Sequence, residues 1–351
     1  CRLVMRASFL IKCVLLIAGG FSLVACSGEK RYYESVGSIF HTRYSIKYEA
    51  DEAKDSLILA ELARFDLSLN PFNPNSVIAK VNRNEPVEVD PWFREVFLRA
   101  MEVSAVSEGA YDITCAPLVN LWGFGFSRMD SVTPAVIDSL RSFVGYQKVR
   151  LVGNQVEKDD PRVQLNCSSI AKGYACDVIA QLLEREGVRN YMIEIGGEVT
   201  LRGVNPAGQG WRVGINKPNP DTTGIARDNG IEEVVQLNRK GGIATSGDYR
   251  NFYIKDGKKY AHTINPLTGY PAGQDILSAT IVADDCMTAD AYATTFMVVG
   301  LDRAREIARR IGTIDYFIIY ADSLGRQRVA YSEGMTRYLP NRQALSILEN
   351  P

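Results

Sequence analysis

The chain has 351 residues, 46% of them hydrophobic and 23% charged, enough to bury a sizeable core as one large domain or two lobes. Its 40 Lys and Arg against 41 Asp and Glu leave a formal charge of −1, so no whole-molecule field draws it to nucleic acid or to an acidic membrane surface. Any anion must therefore be bound locally. Two histidines, His41 and His262, and cysteines without CxxC spacing argue against a structural zinc site.

Residues 1–26 differ from the rest. Arg2 and Arg6 precede an apolar run from Cys13 to Val24, too short to span a bilayer as a helix and laid out like a secretory signal. The run ends in Leu23-Val24-Ala25-Cys26, which resembles a bacterial lipobox and implies cleavage before Cys26 and lipid attachment to its sulfur. The expectation is a lipid-anchored, periplasm-facing protein of the cell envelope, with Ser27 leaving the choice of membrane open. Residues 27–35 read as a polar tether, 36–342 as one domain and 343–351 as a tail. Cys115, Cys167, Cys176 and Cys286 lie beyond the anchor, and the sequence leaves open whether they are bridged or free.

Alternation of Tyr44, Ile46 and Tyr48 with Arg43, Ser45 and Lys47 predicts a strand over 38–48. A helix is predicted over 51–69, followed by a turn-rich loop, Asn70-Pro71-Phe72-Asn73-Pro74, with a single aromatic residue. Asp90-Pro91 and Thr133-Pro134 are helix starts. Short strands are predicted at 148–152, 155–158 and 162–165. Next, Asn166 to Arg185 opens with a Ser-rich turn able to cap a helix and carries Ile170, Ala175, Val178, Ile179 and Leu182 at the spacing of one buried face. Tyr191–Ile195 and Glu198–Arg202 flank Gly196-Gly197, a hairpin link. The N–H groups of that helix start, together with Lys172, would cradle a phosphate, and no GxxxxGK[ST] offers an alternative.

Further on, strands are expected at 211–216 and 232–237, and the small residues of 241–249 let backbone approach a ligand closely. A strand over 278–283, helices near 287–300 and 303–311, and strands at 316–321 and 327–330 close the chain. Hairpins interspersed with helices, without a βαβ rhythm, indicate an α+β fold of mixed, largely antiparallel sheets. Asp290 and Thr294 stand one helical turn apart on one face, where a carboxylate and a hydroxyl can share Mg²⁺. Spacing alone favours a solvated Asp290 and a Thr294 that bonds back within its helix. His262, ahead of a turn, reads by default as a hydrogen-bonded structural residue.

Five stretches together resemble the ApbE family of FAD:protein FMN transferases: Gly109-Ala110-Tyr111-Asp112-Ile113-Thr114, the Pro117–Gly125 run PLVNLWGFG, SIAKGYACD with IEIGGE, His262-Thr263-Ile264-Asn265-Pro266-Leu267-Thr268-Gly269, and Asp284 to Gly300. Phe40-His41-Thr42-Arg43-Tyr44 matches the family's Met-Gly-Thr-x-Tyr at three of five positions, with His41 in place of glycine. The resemblance implies FAD as substrate, with Phe40, Phe72, Ala110, Tyr111, Asp112, Asn166, Lys172, Thr263 and Ile264 around it. It also implies Mg²⁺ on Asp290, Thr294 and the carbonyl of Ser169, and points to His262 and Asp290 as catalytic residues. The Trp122 segment reads mainly as core. The implied reaction moves FMN to a threonine of an exported acceptor protein and releases AMP. Two alternatives stay open at this point: an FAD pyrophosphatase, and a lipid-anchored flavin carrier without turnover.

Overall fold

The computed structural model describes residues 30–125, 132–218, 231–247, 252–255 and 258–340. Cys26, the signal segment and the tail from 343 lie outside them. Strands β1 (Arg31–Ile39) and β2 (Thr42–Ala50) form an antiparallel hairpin, and the alternation in β2 buries Tyr44, Ile46 and Tyr48. Residues 31–35, expected as tether, belong to β1. Their backbone groups are taken up by the partner strand, which a polar composition does not prevent.

Helices α1 (Asp55–Leu69), α2 (Val77–Asn82) and α3 (Pro91–Val106) follow. Asp90 caps α3 as expected, accepting from the N–H groups of Trp92 (2.8 Å) and Phe93 (3.0 Å). After α4 (Ala116–Leu121) and α5 (Pro134–Arg141, capped by Thr133) comes the small hairpin β3 (Val149–Val152) and β4 (Gln155–Lys158). The strand expected at 162–165 is absent among the described residues; Gln164 makes one isolated bridge to Cys115. The Asn82 amide explains this, since it donates to the Leu165 carbonyl (2.9 Å) and accepts from the Leu165 N–H (2.7 Å). A side chain thus supplies what a neighbouring strand would have.

Helix α6 (Ala171–Arg185) leads into β5 (Tyr191–Ile195) and β6 (Glu198–Arg202), joined through Gly196 and Gly197 at positive φ, +72° and +107°. Then come β7 (Trp211–Asn216), β8 (Ile231–Leu237), β9 (Gly241–Gly247), β10 (Phe252–Lys255), β11 (Lys258–Ala261) and β12 (Ile276–Ala283). Helices α7 (Cys286–Val299) and α8 (Leu301–Ile311) precede β13 (Asp315–Ala321) and β14 (Gln327–Tyr331).

Among the described residues the strands β1-β2-β5-β6-β9-β12-β13-β14 make one eight-stranded, antiparallel sheet, the α+β arrangement expected. Side-chain alternation divides its faces. Val199 and Leu201 of β6 join Trp211, Val235 and Leu237 of the β7–β8 hairpin on one side. Glu198 and Thr200 point the other way, toward α6 and α7, whose apolar residues fill the main core with Ile46, Tyr48 and Phe65. A third cluster gathers Leu118, Trp122, Ile137 and Ile264.

Candidate active site

Helices α6 and α7 cross where Gly173 and Gly242 lack side chains. A Cβ on Gly173 would stand 2.3 Å from the Cys286 carbonyl oxygen, and one on Gly242 would stand 2.2 Å from the Cys286 nitrogen. Gly242 of β9 therefore admits a helix start, where the sequence suggested close approach of a ligand. That helix start is capped twice. Asp285 accepts from the Thr288 N–H (2.7 Å), while Asp177, reaching across from α6, accepts from the N–H groups of Cys286 (3.0 Å) and Met287 (2.8 Å) and from the Thr200 hydroxyl (2.7 Å). One carboxylate thereby ties α6, β6 and α7 together. Burial raises the Asp177 pKa to about 7, Asp285 adds to the rise, and the three hydrogen bonds oppose it.

This joint delivers Asp290 to the start of α6. Asp290 is only 3% exposed, which removes the solvated reading, and accepts from the Gly173 N–H at 3.1 Å. The phosphate cradle expected at that helix start is thus partly occupied by the protein's own carboxylate. The Ser-rich turn does not cap it either: Ile170 holds the N-cap position, and Asn166 instead accepts from the Ser168 N–H (2.9 Å). Burial raises the Asp290 pKa; Lys172 and the Gly173 N–H oppose this, and Glu198 and Asp177 add to it.

Lys172 donates to Glu198 at 2.6 Å. Burial alone would lower its pKa, but Glu198 and Asp290 reverse the sign and hold the ammonium charged. Glu198 is the residue that sequence reasoning missed, together with Asp177. The period-two pattern of β6 was its available signal, since Glu198 shares the inward face with Thr200. One turn beyond Asp290, the Thr294 hydroxyl lies 3.3 Å from that of Ser246, and the residue bonding back to its own helix is Thr295, to the Ala291 carbonyl (2.8 Å).

Above this polar floor lies a cavity of about 240 Å³ walled by Phe40, Phe65, Leu69 and Phe72, with Thr42, Ser168, Lys172 and Gly196 at its base. Phe40, Phe72 and Lys172 thus line one cavity. Other residues stand further back. Ala110, Tyr111 and Asp112 are buried; the Tyr111 hydroxyl accepts from Ser169 (3.1 Å), and Asp112 is turned onto its own loop by Thr114 N–H and hydroxyl, both at 2.7 Å. Thr263 and Ile264 are buried in the loop after β11, whose position is set by the Trp122 indole donating to the Gly269 carbonyl (2.8 Å). Trp122 is core, as read, and also the brace of the His262 loop. His262 lies edge-on to Phe124, ring centroids 6.4 Å apart. The four cysteines at 115, 167, 176 and 286 are free thiols.

The donor set suits a hard divalent cation. Two carboxylates, Glu198 and Asp290, act on the one ammonium of Lys172, an excess of one negative charge when all are ionised, and Glu198 Oε2 is buried without a hydrogen-bond partner. Among the described residues no three His, Cys, Asp or Glu side chains form a metal cage. A cation at Asp290 would complete its shell with hydroxyl, carbonyl, water and ligand oxygens.

An aromatic cavity over a buried carboxylate and lysine pair, on an antiparallel α+β scaffold, defines a protein that binds a planar ligand bearing negative charge. The model of the ApbE family matches residues 40–318. The chain is 35% identical over 331 residues to the FAD:protein FMN transferase of Haemophilus influenzae, covering 90% of this chain and 94% of that one. Its fold is similar to the flavin transferase ApbE from Vibrio cholerae, with a TM-score of 0.79, 32% identity, and 89% of this chain and 100% of that one covered. It is also similar to the apo form of Pseudomonas stutzeri flavinyl transferase ApbE, with a TM-score of 0.77, 28% identity, and 89% and 98% covered. The chain belongs to the ApbE family.

Proposed function

We propose that the protein is a Mg²⁺-dependent FAD:protein FMN transferase that moves FMN from FAD to a threonine hydroxyl of an exported protein and releases AMP. The observation that carries this reading is the buried Asp290, one helical turn from Thr294 and hydrogen-bonded to Gly173, next in sequence to the Lys172 that lines an aromatic-walled cavity. Phe40 and Phe72 pack against the isoalloxazine, and Lys172 holds the diphosphate oxygens at the other end. Asp290, Thr294 and the Ser169 carbonyl would hold Mg²⁺, which supplies charge neutralisation on the diphosphate.

The acceptor hydroxyl forms a new O–P bond to the FMN phosphorus while the P–O bond to AMP breaks, and AMP leaves with the bridging oxygen. The hydroxyl proton passes to His262, a role suited to an imidazole near neutral pH. Positioning and electrostatics provide the acceleration. Lipidation at Cys26 would hold the enzyme at the envelope, and Cys26→Ser should then move it from the membrane to the soluble fraction.

The test is incubation of the purified protein with FAD, Mg²⁺ and a threonine-bearing acceptor, with mass analysis of both products. Acceptor gaining FMN in step with AMP is expected, with loss on adding EDTA, and at least ~10²-fold loss in Asp290→Asn and in His262→Ala. Free FMN as the main product in the presence of acceptor would make the enzyme a pyrophosphatase instead. Lys172→Met should weaken FAD about 10-fold or more while leaving riboflavin nearly unchanged, because only FAD carries the diphosphate; equal losses would remove Lys172 from phosphate binding.

A further inference from the structure

The two-residue turn between β1 and β2 is built from Phe40 and His41, both in the left-handed region at φ +53° and +59°. Hairpin turns of this kind favour glycine or asparagine, and a pair of bulky residues there is strained unless something requires their side chains. The side chains go to opposite jobs. Phe40 turns inward against Phe65, centroids 5.6 Å apart, and walls the cavity. His41 turns outward and meets the Phe72 ring edge-on at 5.1 Å.

Phe72 comes from a different element, the loop after α1, and closes the same cavity from the other side. That loop's backbone is held from below, with the Asn70 and Asn73 amides donating to the Asp66 carboxylate at 2.7 and 2.5 Å and the Phe72 N–H donating to Asn70 Oδ1 at 3.0 Å. The Phe72 ring itself stays 50% exposed at the mouth. His41 is thus a strained residue whose ring bridges the hairpin turn to the mouth of the cavity.

We propose that His41 is a ligand-retaining residue of the site: its imidazole clasps the Phe72 ring over a planar aromatic ligand and sets how fast that ligand leaves. The proposal rests on the flavin reading of the cavity. It gives His41→Gly two effects of opposite sign, relief of the turn and loosening of the clasp, whereas a residue serving only the turn would show the first alone.

The experiment uses the full chain with His41→Gly, His41→Asn and His41→Phe, measuring Tm and the dissociation rates of FAD and riboflavin by flavin fluorescence. His41→Gly and His41→Asn should keep or raise Tm, yet both flavins should leave about 2- to 10-fold faster, the range for loss of one aromatic pair. His41→Phe should restore the slow rate. Rates unchanged in the Gly and Asn variants, or a change confined to FAD, would overturn the clasp while leaving flavin binding intact. Failure of the unaltered protein to bind either flavin would overturn the cavity reading and the clasp with it.

Discussion

The floor and the rim of the cavity are built on opposite principles. At the floor, Lys172 lines the cavity and donates to Glu198, while Asp177 and Asp290 lie beneath it on helices, shielded from solvent and held by hydrogen bonds from other elements. At the rim, Phe40, His41 and Phe72 sit on a turn and a loop, Phe40 resting on Phe65 and His41 meeting Phe72 edge-on. A buried carboxylate tolerates little loose geometry, because its desolvation is offset only by donors held within hydrogen-bond reach. Aromatic walls that must part to admit a ligand carry no such demand.

The contrast breaks most visibly at Asp177. Asp177→Ala would orphan two helix-start N–H groups and the Thr200 hydroxyl, so we expect a loss of about 3 kcal/mol or more in denaturant unfolding. A loss below about 1 kcal/mol would mean that α7 is held by packing alone. Asp177 also makes the floor pH-sensitive. Its folded pKa of about 7 lies above its ordinary value, so the native state keeps a proton that the unfolded chain releases near pH 4. Stability from this group is therefore present below about pH 4 and falls as pH rises toward 7, at up to about 1.4 kcal/mol per pH unit. In Asp177→Asn that decline should flatten, read as Tm against pH; an unchanged slope would assign it to other groups. At the rim the effect is smallest: Phe72→Ala should change unfolding stability by about 0.5 kcal/mol or less, since the ring is half exposed, while weakening riboflavin several-fold. A large stability loss there would erase the distinction between rim and floor.

How much of this was legible beforehand differs in the same way. The Asp90 and Thr133 caps, the Gly196-Gly197 hairpin and the buried face of α6 are local features, written in residue type and spacing, and they hold in the structure. The meeting of Phe40, Phe72 and Lys172 was reachable only through family resemblance, since three residues up to 132 positions apart (172 − 40) share no local pattern. The strand expected at 162–165 failed because Asn82, some 80 residues away in sequence, takes its hydrogen bonds.

By itself, the sequence determined which segments could be helix or strand, where turns fall, and that Asp290 and Thr294 share a helical face, because these follow from backbone sterics and side-chain periodicity within a few residues. Only the tertiary structure decided that Asp177 caps a helix more than 100 residues away, that Gly173 gives its N–H to Asp290, and that Lys172 arrives already paired with Glu198. The physical reason is that buried N–H groups and charges must find partners wherever the packed chain brings them, and a linear sequence carries the need for a partner without naming it.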